Sequence, residues 1–325
     1  MKKTKQTFVV LCISIARKKY NIENLIGQVM ILVQFFYLNL TSCDIMQMKR
    51  GLDMNIWNPW HGCKKYSEGC EHCYMYYLDS QRDKDGSEIY KVKTNFNLPI
   101  KKTRDGNYKV PSGTTLMVCM TSDFFLEEAD EWRQEVWNMI KTRQDVTFWL
   151  QTKRAERVKD SLPADWGEGY ENVIICFTAE NQERADERIP ILLNLPFKHK
   201  AIMCAPMIGE ITLDKYLKDN CFETVLVDGE NYDGHRPLYY DWVKKLYEEC
   251  VKYNVNFDFC GTGNVFIRDG KIYNIPKAYQ KVMALKSELQ NPLIYKQEDI
   301  KIQPRCKTCK RRDSCNGCRW CGRCK

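Results

Sequence analysis

The 325 residues, 44% hydrophobic and 12% aromatic, can build one large α/β domain with appendages or two ordinary domains, and they exclude global disorder. The net charge of +8 is not one field: residues 301–325 hold nine Lys/Arg against Asp313, residues 1–53 hold eight against three acids, and the body from 54 to 300 is left at −5. An acidic body excludes a general nucleic-acid-binding surface, so any nucleic acid is expected at the basic tail.

The first 53 residues show no clear helical or strand period. Their apolar run "VMILVQFFYL" (29–38) has ten residues, against the roughly 20 of a spanning helix. It also lies too far along the chain for a signal peptide, so no membrane association and a cytoplasmic location are expected. Residues 1–53 read as an N-terminal extension, either a small helical addition or translated leader ahead of a start at Met54. Lys49-Arg50-Gly51, encodable by a purine-rich ribosome-site-like string, allows the second.

From Met54 onward, apolar runs alternate with amphipathic stretches. Strands are predicted at 55–58, 115–120, 146–151, 172–178, 200–205, 223–228 and 255–260, with helices at 127–141, 181–193 and 238–252. Continuous apolar strands suit a parallel sheet buried on both faces. Their alternation with helices predicts an α/β fold, a partial parallel (β/α) barrel over 54–270. A doubly wound open sheet is the second choice, weakened by the lack of G-x-G-x-x-G after an early strand. Residues 271–300 read as a connecting segment and 301–325 as a basic, Cys-rich, metal-binding tail.

Polar residues follow the strands: "TSD" (121–123), "TKR" (152–154), "AEN" (179–181), "DGEN" (228–231) and "GTGN" (261–264). Barrel enzymes place their chemistry on that rim. The first strand is followed by "WHGCKKYSEGCEHCY" (60–74), whose Cys63, Cys70 and Cys73 are spaced C-x6-C-x2-C. Three thiolates leave a metal centre one ligand short, and an open position is where chemistry occurs. Three occupants fit the spacing: structural zinc completed by His61, His72 or a tail cysteine; hydrolytic zinc with a water; or a [4Fe–4S] cluster with one open iron. Trp57, Trp60, Tyr66, Tyr74, Tyr76 and Tyr77 can shield such a site.

Six more of the seventeen cysteines crowd the tail: Cys306, Cys309, Cys315, Cys318, Cys321 and Cys324, between Lys, Arg, Asp, Asn and Gly. A segment of that composition has no apolar core of its own, and metal–thiolate bonds supply the missing folding energy. A second metal site is expected there, an iron–sulfur cluster or zinc. The other cysteines, such as Cys119, Cys176 and Cys204, lie in apolar runs and read as buried thiols.

The motifs "WNPWHGCKKYSEGCEHCY" (57–74), "MTSDFF" (120–125), "FWLQTKRAERV" (148–158), "FTAENQERADERI" (177–189) and "VLVDGENYDGHRPLYYDWV" (225–243) resemble, in order, a family of phage and bacterial proteins of unknown function. That family is similar to radical S-adenosylmethionine (SAM) enzymes and distantly to spore photoproduct lyase. The spacing differs from the commonest radical SAM pattern, C-x3-C-x2-C. Ala205-Pro206 stands where the family often has Glu-Pro, and Asp228-Gly229-Glu230-Asn231 where it has Gly-Gly-Glu-Ser. The resemblance implies a radical SAM enzyme with a [4Fe–4S] cluster on Cys63, Cys70 and Cys73, reduced by a flavodoxin- or ferredoxin-type protein. One electron then cleaves SAM to methionine and a 5′-deoxyadenosyl radical, which acts on a substrate, a nucleic acid or nucleotide being favoured. It also implies Lys153 and Arg154 for the SAM carboxylate and Glu180 for its ribose. Ser122 and Asp123 are expected nearby, with Cys260 as a hydrogen-atom donor. The competing function is a non-catalytic, zinc-stabilised nucleic-acid-binding protein.

Overall fold

The computed structural model describes residues 55–219 and 221–290. Seven strands form one all-parallel sheet: β1 (Asn55–Trp57), β2 (Thr115–Val118), β3 (Thr147–Thr152), β4 (Val173–Thr178), β5 (His199–Cys204), β6 (Thr224–Asp228) and β7 (Asn256–Gly261). Each lies on a run where an apolar stretch predicts a strand. Their order across the sheet is their order along the chain, so every crossover steps one place the same way. A doubly wound sheet reverses direction at a switch point. This one does not, and it curls into a half-barrel, a partial (β/α) barrel of the mixed α/β class.

Alternation along each strand sorts its side chains between two faces. Leu116, Phe148, Leu150, Ile175, Ile202 and Val225 join the large core under the helices. Trp149, Cys176 and Ala201 point the other way and pack with Met117, Ile174, Met203 and Leu226 on the concave face. The helices are α1 (Tyr74–Ser80), α2 (Asp130–Thr142), α3 (Ala155–Val158), α4 (Gln182–Asn194), α5 (Asp214–Leu217), α6 (Tyr240–Lys252) and α7 (Lys277–Leu285). The longer ones bury residues three or four apart, such as Val136 and Ile140 in α2, and Ala185, Ile189 and Leu192 in α4. Asn181 starts α4 by accepting the Arg184 amide at 2.9 Å.

Two expectations shift. The stretch 238–252 is helical only from Tyr240, because Leu238–Tyr239 pairs with Phe266–Ile267 in a three-stranded side sheet completed by Lys271–Asn274. Residues 271–290, predicted as a connecting segment, hold that strand and α7. Gln290 then donates to the Phe259 carbonyl (2.9 Å) and accepts the Phe259 amide (3.3 Å). A side chain thus occupies the place of an eighth strand at the β7 edge. Residues 1–53, 291–300 and the tail 301–325 lie outside the described residues. Among the described residues no helix is long and apolar enough to cross a membrane.

The connection from β1 to β2 is long because it carries the cysteine loop. Its far part is fastened to the barrel by Trp57, whose indole N–H donates to the Asn95 and Phe96 carbonyls (3.2 and 3.0 Å). The fully buried Arg143 donates to the carbonyls of Pro99 and Val110 and pairs with Asp145.

Candidate functional site

The cysteine loop leaves β1 and crosses the C-terminal rim of the sheet. Gly62 is required at its start: φ is +86°, and a Cβ there would collide with the Glu88 carbonyl. Contacts from four strand ends then hold the loop. After β2, Ser122 donates to the Gly62 carbonyl (2.5 Å), and the Gly62 amide donates to the Thr121 carbonyl (3.2 Å). After β3, Arg154 donates to the Lys64 carbonyl (2.7 Å) and stands 4.0 Å from Cys63 Sγ.

After β4, the fully buried Glu180 accepts from Ser67 and from Arg188 (2.7 Å), with Lys153 Nζ at 3.5 Å. Gly69 lies so close to Glu180 that any side chain there would collide with it. Beyond β6, Arg236 donates to the Glu68 carbonyl (2.9 Å), reaches Glu71 (3.2 Å) and is anchored on the buried Glu230 by two contacts of 2.6 and 2.8 Å. Tyr77 of α1 stacks on Tyr232 in the same segment, centroids 4.4 Å apart.

These contacts define the expected site residues more closely. Ser122, Asp123, Lys153, Arg154 and Glu180 all gather around the cysteine loop. Asp123, however, is filled by protein: it accepts from Thr152 Oγ1 (2.7 Å) and the amides of Phe125 (2.9 Å) and Lys153 (3.0 Å), and pairs with Arg154 at 3.1 Å. Glu180 is filled in the same way. Burial opposes its charge, but Lys153 and Arg188 outweigh that and hold its carboxyl below the usual range. Lys153 has the loosest contacts of the five, with Thr178 Oγ1 at 3.2 Å besides Glu180.

The three thiols are half-buried and near enough to feel one another's charge. Burial pushes the Cys63 thiol up to about 12, with Asp123 adding and Arg154 opposing. Burial also raises Cys73, against two backbone amides and Lys153. Among the described residues no three Cys, His, Asp or Glu side chains converge on one point as ligands of a single ion. A cluster with one cysteine per iron asks instead for neighbouring thiols set apart. Three thiols with Arg154 and Lys153 beside them fit that group in donor type and in charge, since the cations offset the thiolates. His61 is engaged elsewhere, 2.6 Å from the buried Asp79, whereas His72 lines an open cavity of ≈310 Å³ beside Cys73 with Tyr76, Tyr77 and Tyr232.

The aromatics expected as a shield divide. Trp57 and Trp60 are fully buried in the main core. Tyr76 donates to the Cys63 carbonyl, Tyr74 to the Met120 carbonyl, and the Tyr66 ring has the guanidiniums of Arg154 and Arg188 at 5.2 and 5.6 Å from its centroid. Cys260 does not join this group. It lies on β7, where burial and the carboxylates of Asp258 and Asp228 raise its thiol far above the usual range. Cys119, Cys176 and Cys204 are buried, as expected. The tail cysteines, Cys306 to Cys324, lie outside the described residues.

Ser67, Gly69, Arg188 and Arg236 are not marked out by the sequence, and Glu230 is marked only as part of the rim run 228–231. All five stand in the motifs 57–74, 177–189 and 225–243, but nothing in the spacing ties the later ones to the cysteine loop. No curated protein and no solved structure matches the chain. A family model described as "Protein of unknown function (DUF5131)" matches residues 53–321, a span that takes in the cysteine loop, all seven strands and every tail cysteine except Cys324, and the chain belongs to that family.

Proposed function

We propose that the protein is a radical SAM enzyme whose [4Fe–4S] cluster is held by Cys63, Cys70 and Cys73. One observation carries the reading: three neighbouring thiols lie on the rim after β1 of a parallel half-barrel, in a loop held by residues from four other strand ends. That is where barrel folds place their chemistry. The bound cluster and SAM supply reductive cleavage of the sulfonium; the chain binds, orients and excludes water. Arg154 and Glu180 hold the loop in place. Lys153, held only by Thr178 Oγ1 and by an ion pair at 3.5 Å, is the cation available to the SAM carboxylate. Cys260, on β7 away from the cysteine loop, is the proposed donor of a hydrogen atom to a substrate radical. A flavodoxin- or ferredoxin-type reductant and a nucleic acid or nucleotide substrate belong to the same proposal, as does a second metal site in the tail.

The test is anaerobic reconstitution with iron and sulfide, reduction by dithionite, and chromatography of the products. The expected result is a brown protein that converts SAM to 5′-deoxyadenosine and methionine. Single Cys63→Ala, Cys70→Ala or Cys73→Ala variants lose this activity, because two ligands do not retain the cluster. A colourless zinc protein, or cleavage that survives in all three variants, would rule the assignment out.

A further inference from the structure

Five of the most deeply buried carboxylates among the described residues are held by donors, and Asp228 is not held in the same way. Asp79 has His61, Asp123 has four donors, Glu180 has Arg188 and Ser67, Glu230 has Arg236, and Glu249 has Thr212 Oγ1 and the Leu213 amide (both 2.6 Å). Asp228 Oδ1 is shut off from solvent and has no hydrogen-bond partner. A buried acceptor left unpaired costs stability, so one that persists calls for an explanation. Asp228 ends β6, on the same face as Leu226, and so turns toward the hollow of the half-barrel. Gln151, on that face at the end of β3, has a second buried acceptor, Oε1, with no partner.

Between these two strand ends the face of the sheet is apolar. Cys176 and Ala201 put small side chains on the two middle strands, between Trp149 on one side and Met203 and Leu226 on the other. An indole and a thioether suit the flat face of a ring, and the half-buried Asp228 carboxylate at its edge, with one oxygen unpaired, suits an N–H in the ring plane. We propose that Asp228 is a substrate-binding carboxylate, and that the concave face takes a planar heterocycle with an N–H edge, the chemistry of a purine or pyrimidine base. The inference rests on the reading of this rim as an active site, and it names the substrate class for it. Burial, with a smaller contribution from Asp258, makes Asp228 ready to hold or accept a proton, while Lys277 and the Gly229 amide oppose.

The experiment is equilibrium dialysis of the full chain, without added metal or SAM, against adenosine, guanosine, cytidine and uridine in turn. At least one nucleoside is retained. Asp228→Ala weakens it about 10-fold, the worth of one hydrogen bond to a charged group. The same nucleoside methylated at the base N–H binds wild-type protein no better than the parent binds Asp228→Ala. Because a purely structural carboxylate also responds to substitution, thermal unfolding of Asp228→Asn at pH 8 is read alongside. A midpoint at or above wild type is expected, since the substitution removes a buried unpaired charge. Retention of none of the four, equal retention by Asp228→Ala, or a lowered midpoint in Asp228→Asn each overturns the proposal. Neither cluster nor SAM enters these measurements, so failure here leaves the cluster assignment standing, and the reverse.

Discussion

Asp228 and Glu180 end strands two apart on one rim, yet their surroundings drive them in opposite directions. Glu180 is fully buried between Lys153 and Arg188, which keep it ionised. At Asp228 burial outweighs Lys277 and the Gly229 amide and pushes the carboxyl up to about 7 from an ordinary 3.8, with Asp258 adding. The sign for stability follows from proton counting. Between about pH 4 and pH 7 the folded protein keeps a proton on Asp228 that the unfolded chain has released, so stability falls as pH rises, and it levels off above about 7. Asp228→Asn removes this fall and leaves the smaller one from Asp258, whose carboxyl burial also raises. Urea unfolding at pH 4.5, 6 and 8 checks it: the variant gains on wild type across the window and holds its lead above it. Parallel curves would mean that Asp228 does not hold that proton.

At the scale of elements, the cysteine loop is positioned by contacts from β2, β3, β4 and the segment after β6 rather than by a core of its own. Arg236 is the most distant of these, 165 residues from Glu71 and 168 from Glu68 along the chain. Arg236→Ala strands the Glu230 carboxylate, 4% exposed, and frees the loop on one side. The guanidinium is itself part-exposed, so the cost is about 2–3 kcal/mol, below that of a fully buried pair. Urea unfolding shows it directly. The substitution also lowers the iron retained after reconstitution, and unchanged stability together with unchanged iron would show that this contact does not hold the loop. Strands were readable in the sequence because burial on both faces forces unbroken apolar runs such as "VIICFT" (173–178). The rim was readable because polar residues end those runs. What each polar residue does there was not. Asp123 and Glu180 look free for a ligand when only their strand ends are known, but their partners come from remote segments, as Ser67 does for Glu180, 113 residues away. The unpaired state of Asp228 was hidden for the same reason: spacing shows where a carboxylate sits, not whether anything reaches it.

For the whole molecule, the partition of charge separates two kinds of binding. The body from 54 to 300 carries −5 and holds the strand-end site, whereas residues 301–325 carry +8 and six of the seventeen cysteines. Phosphate attraction is therefore expected of the basic ends, the tail above all, and any base-edge recognition of the hollow of the sheet. Ending the chain at residue 303 tests this partition. The shortened protein keeps the half-barrel, because the Gln290 contact that finishes the β7 edge lies before the cut. It loses retention of a short DNA duplex at low salt. In the full chain, nine tail cations bound the slope of log affinity against log salt at about −8. Metal analysis of the same pair separates the two cysteine groups. Iron belonging to Cys63, Cys70 and Cys73 stays with the shortened chain, and iron or zinc belonging to Cys306, Cys309, Cys315, Cys318, Cys321 and Cys324 leaves with the tail. Equal metal content in both proteins would show that the tail binds none. Duplex retention by the shortened chain would place the nucleic-acid contact on residues 1–53, which hold eight Lys/Arg against three acids, or on the acidic body against its charge.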